Sequence, residues 1–177
     1  NQRYPFTGTN NVDIQLGIVK LNNKKINWVD LGKEKDIYIP RVKWLQDSKT
    51  LSYQWQNRSQ QKLELRAYDT KSKKQKVLLT ETSDTWINLH KELRFLKDKE
   101  HFVWASERDG FKHLYLYKND GTLVRQITQG DWIVDSLQGV DEKKGLVYFS
   151  GRADSVLESH FYSVPLKKSG KIKRLTK

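Results

Sequence analysis

The side chains best suited to acid–base or metal chemistry in this sequence are four histidines: His90, His101, His113 and His160. His101 and His113 flank one predicted hairpin, but no carboxylate or second histidine stands beside them at a ligand spacing. The chain has no cysteine, so disulfides and thiolate metal sites are excluded. We therefore predict no metal site and no cofactor, and we expect the last three histidines to be structural.

Serine-hydrolase chemistry would need a different set of residues. An α/β-hydrolase exposes its nucleophile on a G-x-S-x-G turn between a strand and a helix, and a histidine polarised by an aspartate activates it. No G-x-S-x-G string occurs in this sequence. The run Glu107-Arg108-Asp109 resembles an acid pair beside a cation, but we interpret it as a turn whose charges pair locally. We predict no catalytic residue in this chain.

The net charge of +12 raises the alternative of an anionic partner such as nucleic acid. A nucleic-acid binder would interleave basic residues with exposed aromatic residues on one face. Here the aromatic residues fall on predicted strands, whereas lysine runs such as 71–76 and 171–174 fall in or beside turns and outermost strands, where lysine blocks edge-to-edge pairing. We expect no nucleic-acid partner.

No apolar run approaches membrane-spanning length, and no signal peptide is visible.

Short strands must position all of these side chains, and the stretch 104–117 (WASERDGFKHLYLY) shows how. Leu114 and Leu116 alternate with tyrosines at the period of two that a strand imposes. Asp109-Gly110 before them predicts a tight hairpin turn. Five tryptophans fall at comparable points of the predicted strands, and we expect them to pack between sheets: Trp28, Trp44, Trp55, Trp104 and Trp132.

The pattern of four strands recurs at a constant step. The fourth strands end at Thr80, Thr128 and Thr176, which stand 48 residues apart. Four strands at this period are typical of a β-propeller blade. We predict an all-β propeller segment of about three and a half four-stranded antiparallel blades. The predicted units are a half blade over 12–32 and blades over 37–80, 86–128 and 132–177, with Pro40 bulging the first strand of its blade.

Long motifs resemble, in the same order, bacterial members of the dipeptidyl peptidase IV family of serine peptidases. They are YPFTGTNN, SDTWINLHKELRFL, WASERDGFKHLYLY, GTLVRQITQGDW, VDEKKGLVYFSG and ESHFYSVPL, and they cover nearly the whole chain. The resemblance implies a ring of about 7–8 blades ahead of an α/β-hydrolase domain. It also implies that the propeller covers the active site and restricts the access of peptides.

By this resemblance the chain is a non-catalytic fragment of an exopeptidase that releases X-Pro or X-Ala dipeptides from peptide N-termini. The adjacent glutamates that hold the substrate amine in the family would lie upstream of Asn1, because no Glu-Glu pair occurs here. The sequence has no methionine, so we expect it to begin inside a longer protein or after a processing site. The family implies a periplasmic or secreted location. The alternative is a stand-alone propeller module for protein interaction, which a downstream G-x-S-x-G would exclude.

The resemblance also suggests which residues would contact a bound peptide. The loop WINLH at 86–90 leans towards the substrate cavity in the family, which makes Asn88 and His90 the cavity-lining residues. The alternative is that Trp86 is a core residue and His90 a satisfied surface histidine.

A partial ring also leaves cut faces, where we expect Val147, Phe149 and Phe161 to be exposed. The isolated chain should then pair with a copy of itself or have a frayed ribbon over 12–31.

Overall fold

The computed structural model describes residues 8–177, and every helix or strand in that range is a β-strand. The chain divides into two compact units, Asn1–Ile87 and Asn88–Lys177. The positions Tyr4 and Pro5 of the predicted N-terminal loop lie outside the described residues. All pairings between strands are antiparallel, and each of the three larger sheets follows the chain from its first strand to its last. The prediction of an all-β fold is therefore confirmed.

The first unit holds a two-stranded ribbon and one larger sheet. The ribbon pairs β1 (Gly17–Val19) with β2 (Ile26–Trp28). The sheet contains β3 (Ile37–Tyr38), β4 (Val42–Trp44), β5 (Thr50–Asn57), β6 (Lys62–Asp69) and β7 (Gln75–Thr82).

The first strand of this sheet, which lies at its edge, is interrupted at Pro40. Tyr38 pairs with Gln56 and Val42 pairs with Tyr53, so one side of the ladder carries one residue more than the other. Proline has no N–H to give to the ladder, and an extra residue that bulges the strand accommodates it. β3 and β4 are thus two halves of one strand beside β5, as the predicted bulge requires.

The ribbon is shorter than its alternating sequence predicted. The predicted strands over 12–21 and 26–31 shrink to Gly17–Val19 and Ile26–Trp28. Two further backbone bonds, from Val29 N–H to the Leu16 carbonyl and from Lys20 N–H to the Lys25 carbonyl, continue the pairing by one step each way. Most side chains of the ribbon are exposed, so further strand pairing would bury little apolar surface and would add little stability.

The second unit contains two four-stranded sheets. The strands of the first are β8 (Leu93–Phe95), β9 (His101–Ser106), β10 (His113–Lys118) and β11 (Leu123–Gln126). Those of the second are β12 (Val134–Asp141), β13 (Leu146–Gly151), β14 (His160–Pro165) and β15 (Lys173–Arg174).

The hairpin predicted around Asp109-Gly110 is the β9–β10 pair, and Gly110 has the positive φ, 97°, that the turn demands. The loop is wider than predicted, because His113 pairs with Ser106 and leaves residues 107–112 between them.

The strand predicted from Trp86 to Leu96 is mostly irregular, and only Leu93–Phe95 pairs with β9. The preceding residues do not alternate in burial: Trp86 and Leu89 are both exposed, at 62% and 40%. Without an apolar stripe on one face, the backbone gains nothing by joining the sheet edge. The segment before β8 is therefore a loop at the end of the sheet.

The core of the second unit is built by both of its sheets. The first sheet supplies Leu96, Val103, Ala105, Leu114, Leu116 and Ile127, and the second supplies Val134, Val147, Phe149, Tyr162, Val164 and Leu166. The predicted exposure of Val147 and Phe149 was wrong, because both side chains point into this cluster and are fully buried. Phe161 faces the other way and is 41% exposed, as expected.

The predicted packing of the tryptophans is confirmed for some and wrong for others. Trp55 and Trp104 are buried, and Trp132 packs against the core of the second unit. Trp28 and Trp44 are instead 59% and 47% exposed. Both lie on three-residue strands with few pairings, so each ring stays largely exposed even though that of Trp28 lies over Gly17 of β1.

Candidate functional site

Asn88 lies at the end of the first sheet of the second unit. It precedes β8, and its side-chain amide donates to Glu107 Oε2 at 2.8 Å. Glu107 follows directly after β9, so the two residues mark one end of that sheet. Asn88 is exposed, which leaves its amide accessible to a ligand at this end.

His90, two residues after Asn88, is packed against Trp104. Its ring stands edge-on to the indole of Trp104, with centroids 4.5 Å apart, and its side chain is 8% exposed. Nδ1 lies 3.5 Å from Glu92 Oε2. The alternative interpretation of this loop was wrong in both parts, since Trp86 is exposed and His90 is held against a buried tryptophan. That Asn88 and His90 line a substrate cavity stays a prediction.

The chemistry available at this end is hydrogen bonding rather than nucleophilic attack. Ser106, the last residue of β9, accepts hydrogen bonds from the backbone N–H of Arg108 at 3.2 Å and from its Nε at 2.9 Å. No hydrogen bond links Ser106 to a histidine in the described part of the chain. Asn88 and Glu107 together offer an amide and a carboxylate, groups that orient a polar ligand such as a peptide backbone.

The contacts of the turn at 107–109 include side chains of β10 and β11, and the pairing of its charges with one another stays a prediction. The Arg108 guanidinium lies over the ring of Tyr115 at 4.5 Å. Asp109 Oδ2 accepts from Gln126 Nε2 at 2.6 Å and from the Tyr115 hydroxyl at 3.2 Å. Burial disfavours the Asp109 carboxylate more than any single contact favours it, but the hydrogen bonds from Gln126, the Phe111 N–H and Tyr115, together with His113, hold the pKa of Asp109 below its usual value. Burial, followed by the neighbouring Asp109 charge, raises the pKa of Tyr115 well above its usual range.

His113 and His160 have structural contacts, as predicted. His113 Nδ1 lies 3.0 Å from Thr128 Oγ1, and its Nε2 lies 2.8 Å from the Gly130 carbonyl. His160 contacts Thr176 Oγ1 at 3.2 Å. Each histidine therefore ties the third strand of its sheet to the end of the fourth.

The statement that no carboxylate stands at a ligand spacing from His101 was wrong. Asp98 Oδ2 lies 2.8 Å from His101 Nδ1, and Glu100 lies close enough for the ligand atoms of all three to fall within 4.8 Å of one another. The signal was the Asp-x-x-His spacing across the turn. Asp98 already accepts the N–H groups of Glu100 and His101 and the ammonium of Lys167. These contacts fit a capped turn, and the absence of a metal site stays a prediction.

Partial burial disfavours the ionised form of Asp98, but these hydrogen bonds outweigh it and lower the pKa of Asp98 to about 2.

Residues 8–177 include no helix long and apolar enough to cross a membrane.

Comparison with known proteins is consistent along the whole chain. Residues 1–177 match the family described as the dipeptidyl peptidase IV N-terminal region. Dipeptidyl peptidase 4 of Trichophyton equinum is 29% identical over 169 residues, which are 92% of this chain and 22% of that protein. The crystal structure of Porphyromonas gingivalis dipeptidyl peptidase 4 superposes with a TM-score of 0.90 at 29% identity, and the match covers 98% of this chain and 24% of that one. The chain thus spans about a quarter of its relatives' length, and its fold is that of a propeller segment.

Proposed function

The chain belongs to the family of the dipeptidyl peptidase IV N-terminal region, and we propose that it is the non-catalytic propeller segment of a serine exopeptidase. The observation that carries this proposal is the match to a dipeptidyl peptidase 4 structure over 98% of the chain at a TM-score of 0.90. Propellers support many functions, so the fold alone would not be enough. The sequence match over all of residues 1–177 narrows the choice to this family.

The role of the segment in the parent is to cover the active site of an α/β-hydrolase domain and restrict the access of peptides. The end of the sheet that carries Asn88 and Glu107 supports this role, because it presents polar groups for a peptide without a nucleophile of its own. His90 stiffens the loop through its contact with Trp104. A rigid loop with an exposed amide orients a chain at a lower entropic cost than a mobile one.

The parent releases X-Pro or X-Ala dipeptides, and Asn88 and His90 line the outer part of its substrate cavity. The test is Asn88→Ala in the full-length parent, measured with a Gly-Pro chromogenic dipeptide and with a longer peptide that begins Gly-Pro. KM should rise for the longer peptide and stay unchanged for the dipeptide, which does not reach the outer cavity.

A matched control is Asn119→Ala, which also removes one side-chain bond, to the Lys99 carbonyl, but at the other end of the sheet. Equal effects of the two substitutions on both substrates would contradict the assignment of Asn88.

The purified 177-residue chain should not cleave a Gly-Pro or Gly-Ala chromogenic dipeptide, because it contains no nucleophile elbow. Cleavage that survives repeated purification would contradict the non-catalytic assignment. A stand-alone interaction module would also be inactive in this assay. The downstream gene sequence separates the two proposals, because only the exopeptidase continues into a G-x-S-x-G motif followed by aspartate and histidine.

We propose a periplasmic or secreted location for the parent, on the basis of its family alone. Fractionation of the source cells with an antibody against residues 12–177 tests this. Signal confined to the cytoplasmic fraction would contradict it.

A further inference from the structure

Three turns of the second unit enclose a groove at the end of the sheets away from Asn88. Asp98 precedes β9 and Glu107 follows it, so the groove and the peptide-facing end are about 20 Å apart along six strand residues. The groove is formed by the turn before β9, the β12–β13 turn and the β14–β15 turn, and its volume is about 380 Å³. This size falls within the range of small-molecule pockets, roughly 300–1,000 Å³.

One wall of the groove is held by Glu142. Its two carboxylate oxygens accept the backbone N–H groups of Lys97 at 2.8 Å and of Asp98 at 3.0 Å. Glu142 belongs to the β12–β13 turn, whereas Lys97 and Asp98 belong to the turn before β9, so this carboxylate joins the two sheets. Charge-assisted bonds of this kind are among the stronger hydrogen bonds of a protein surface.

The opposite wall is held by Arg125 of β11. Its Nη1 donates to the Pro165 carbonyl at 3.0 Å and to the Leu166 carbonyl at 3.4 Å, and it also contacts the Lys168 carbonyl. The partly buried guanidinium of Arg125 therefore holds the backbone of residues 165–168 in place. With both walls tied to the sheets, the groove is formed before any ligand arrives, which lowers the entropic cost of binding.

The lining carries a net positive charge, because three lysines stand against the two carboxylates of Asp98 and Glu142. Asp98 is ionised and faces Lys167 at 3.3 Å, and Glu142 is occupied by the two N–H groups. Lys144 and Lys168 also line the groove, and neither side chain has a hydrogen bond or ion pair among residues 8–177. These two lysines are free to meet an anion.

The groove is also partly apolar. Leu146, Pro165 and Leu166 line it beside the two lysines, and Leu166 is almost fully buried. We propose that this groove binds an organic anion, a carboxylate or phosphate monoester that carries an aromatic or short alkyl group. The anionic group meets Lys144 and Lys168, and the apolar group covers Leu146 and Pro165. This site lies apart from the proposed peptide cavity and is independent of it.

The test uses phenyl phosphate and inorganic phosphate as probes, titrated separately into the ¹⁵N-labelled 177-residue chain at low salt. The backbone amides of Gly145, Leu166 and Lys168 should shift saturably with phenyl phosphate. Inorganic phosphate should bind more weakly by about tenfold, because it leaves the apolar lining uncovered.

The variant K144Q/K168Q should weaken phenyl phosphate binding by about tenfold or more. The matched control is K171Q/K173Q, which removes the same charge from two exposed lysines that do not line the groove. Unchanged affinity in the control supports the site. Equal losses in the two variants would mean general charge attraction and would overturn the proposal. Equal affinity of the two probes, or the absence of saturable shifts, would overturn it as well.

Discussion

The imidazole of His113 and the hydroxyl of Thr128 form a hydrogen bond of 3.0 Å inside the first sheet of the second unit. Thr128 Oγ1 also accepts the backbone N–H of Leu114 at 3.0 Å, so its own hydrogen is available to His113 Nδ1. Nε2 must then carry the ring proton, which it donates to the Gly130 carbonyl at 2.8 Å. This arrangement satisfies every polar atom of the pair with a neutral imidazole.

The next sheet repeats the arrangement at His160 and Thr176, where Thr176 Oγ1 accepts the N–H of Phe161 at 3.1 Å. In the first unit, Thr80 pairs across the strands with Glu64, which binds Lys62 and Arg66 instead of a threonine. The 48-residue step between the threonines thus marks a hydrogen-bonded junction in two sheets, whereas in the first unit the ion pairs of Glu64 stay within β6.

The first prediction concerns this junction. Thr128→Val should lower the free energy of unfolding by about 1–3 kcal/mol, because it leaves His113 Nδ1 and the Leu114 N–H buried without partners. Urea unfolding measures the loss. Thr176→Val is the matched control and should cost less, because Thr176 is exposed and water can replace the hydroxyl. A Thr128→Val protein as stable as the wild type would contradict the role of the junction.

A second prediction concerns the contact of Glu142 with the neighbouring turn. Glu142→Ala should speed hydrogen exchange at the amides of Lys97 and Asp98 and lower stability by about 1 kcal/mol. Glu142→Gln keeps one acceptor oxygen and should have a smaller effect. Glu158→Ala is a suitable control, since Glu158 bonds to His160 at the other end of the second sheet. Unchanged exchange at both amides would show that the two sheets are held together without this carboxylate.

A third prediction follows from the lowered pKa of Asp98. The value of about 2 lies below the unfolded value of 3.8, so the folded state binds this proton less readily than the unfolded state. The stability that Asp98 contributes is therefore present above pH 3.8 and is lost as the pH falls towards 2. Asp98→Asn should flatten the fall in stability over this window in acid unfolding experiments. Asp13→Asn, an exposed position, serves as the control, and an identical acid limb in Asp98→Asn and wild type would contradict the prediction.

A fourth prediction concerns the ribbon β1–β2. Val19, Ile26 and Trp28 are about half exposed, and three residue pairs with one further backbone bond at each end hold the two strands together. The amides of residues 12–31 should exchange quickly, and the isolated chain should associate as its concentration rises in sedimentation experiments. Trp28→Gln should weaken the association, whereas Trp44→Gln should not. A strictly monomeric chain with full protection over 12–31 would contradict this view of the ribbon.

The sequence predicted the sheets well because their strands carry two independent signals. In β10, alternating leucines and tyrosines coincide with a glycine at the preceding turn, and both point to the same hairpin. The exposure of Trp28 and the burial of Val147 could not be derived in this way. A period of two says which residues share a face, but only the neighbouring sheet decides which face is covered.

The candidate site was less predictable than the fold. The resemblance singled out Asn88 and His90, but their partners Glu107 and Trp104 lie more than ten residues away in the chain and meet them only through the pairing of β8 with β9. The groove beside Lys144 and Lys168 has no sequence motif, because it arises where three turns converge.

The extra residue at Pro40 shifts the alternation of side chains by one position along the edge strand formed by β3 and β4. Ile37 and Trp44 are an odd number of positions apart, so strict alternation would send them to opposite faces. The bulge places them on one face, with partners Asn57 and Leu51 in β5. Deleting Pro40 should therefore shorten the strand without turning it over: with β3 kept in register the remaining residues alternate regularly, Trp44 still pairs with Leu51, and its indole stays on the same side of the sheet. The extra residue thus lengthens the connection between β3 and β4 without changing the face of the sheet that Trp44 occupies.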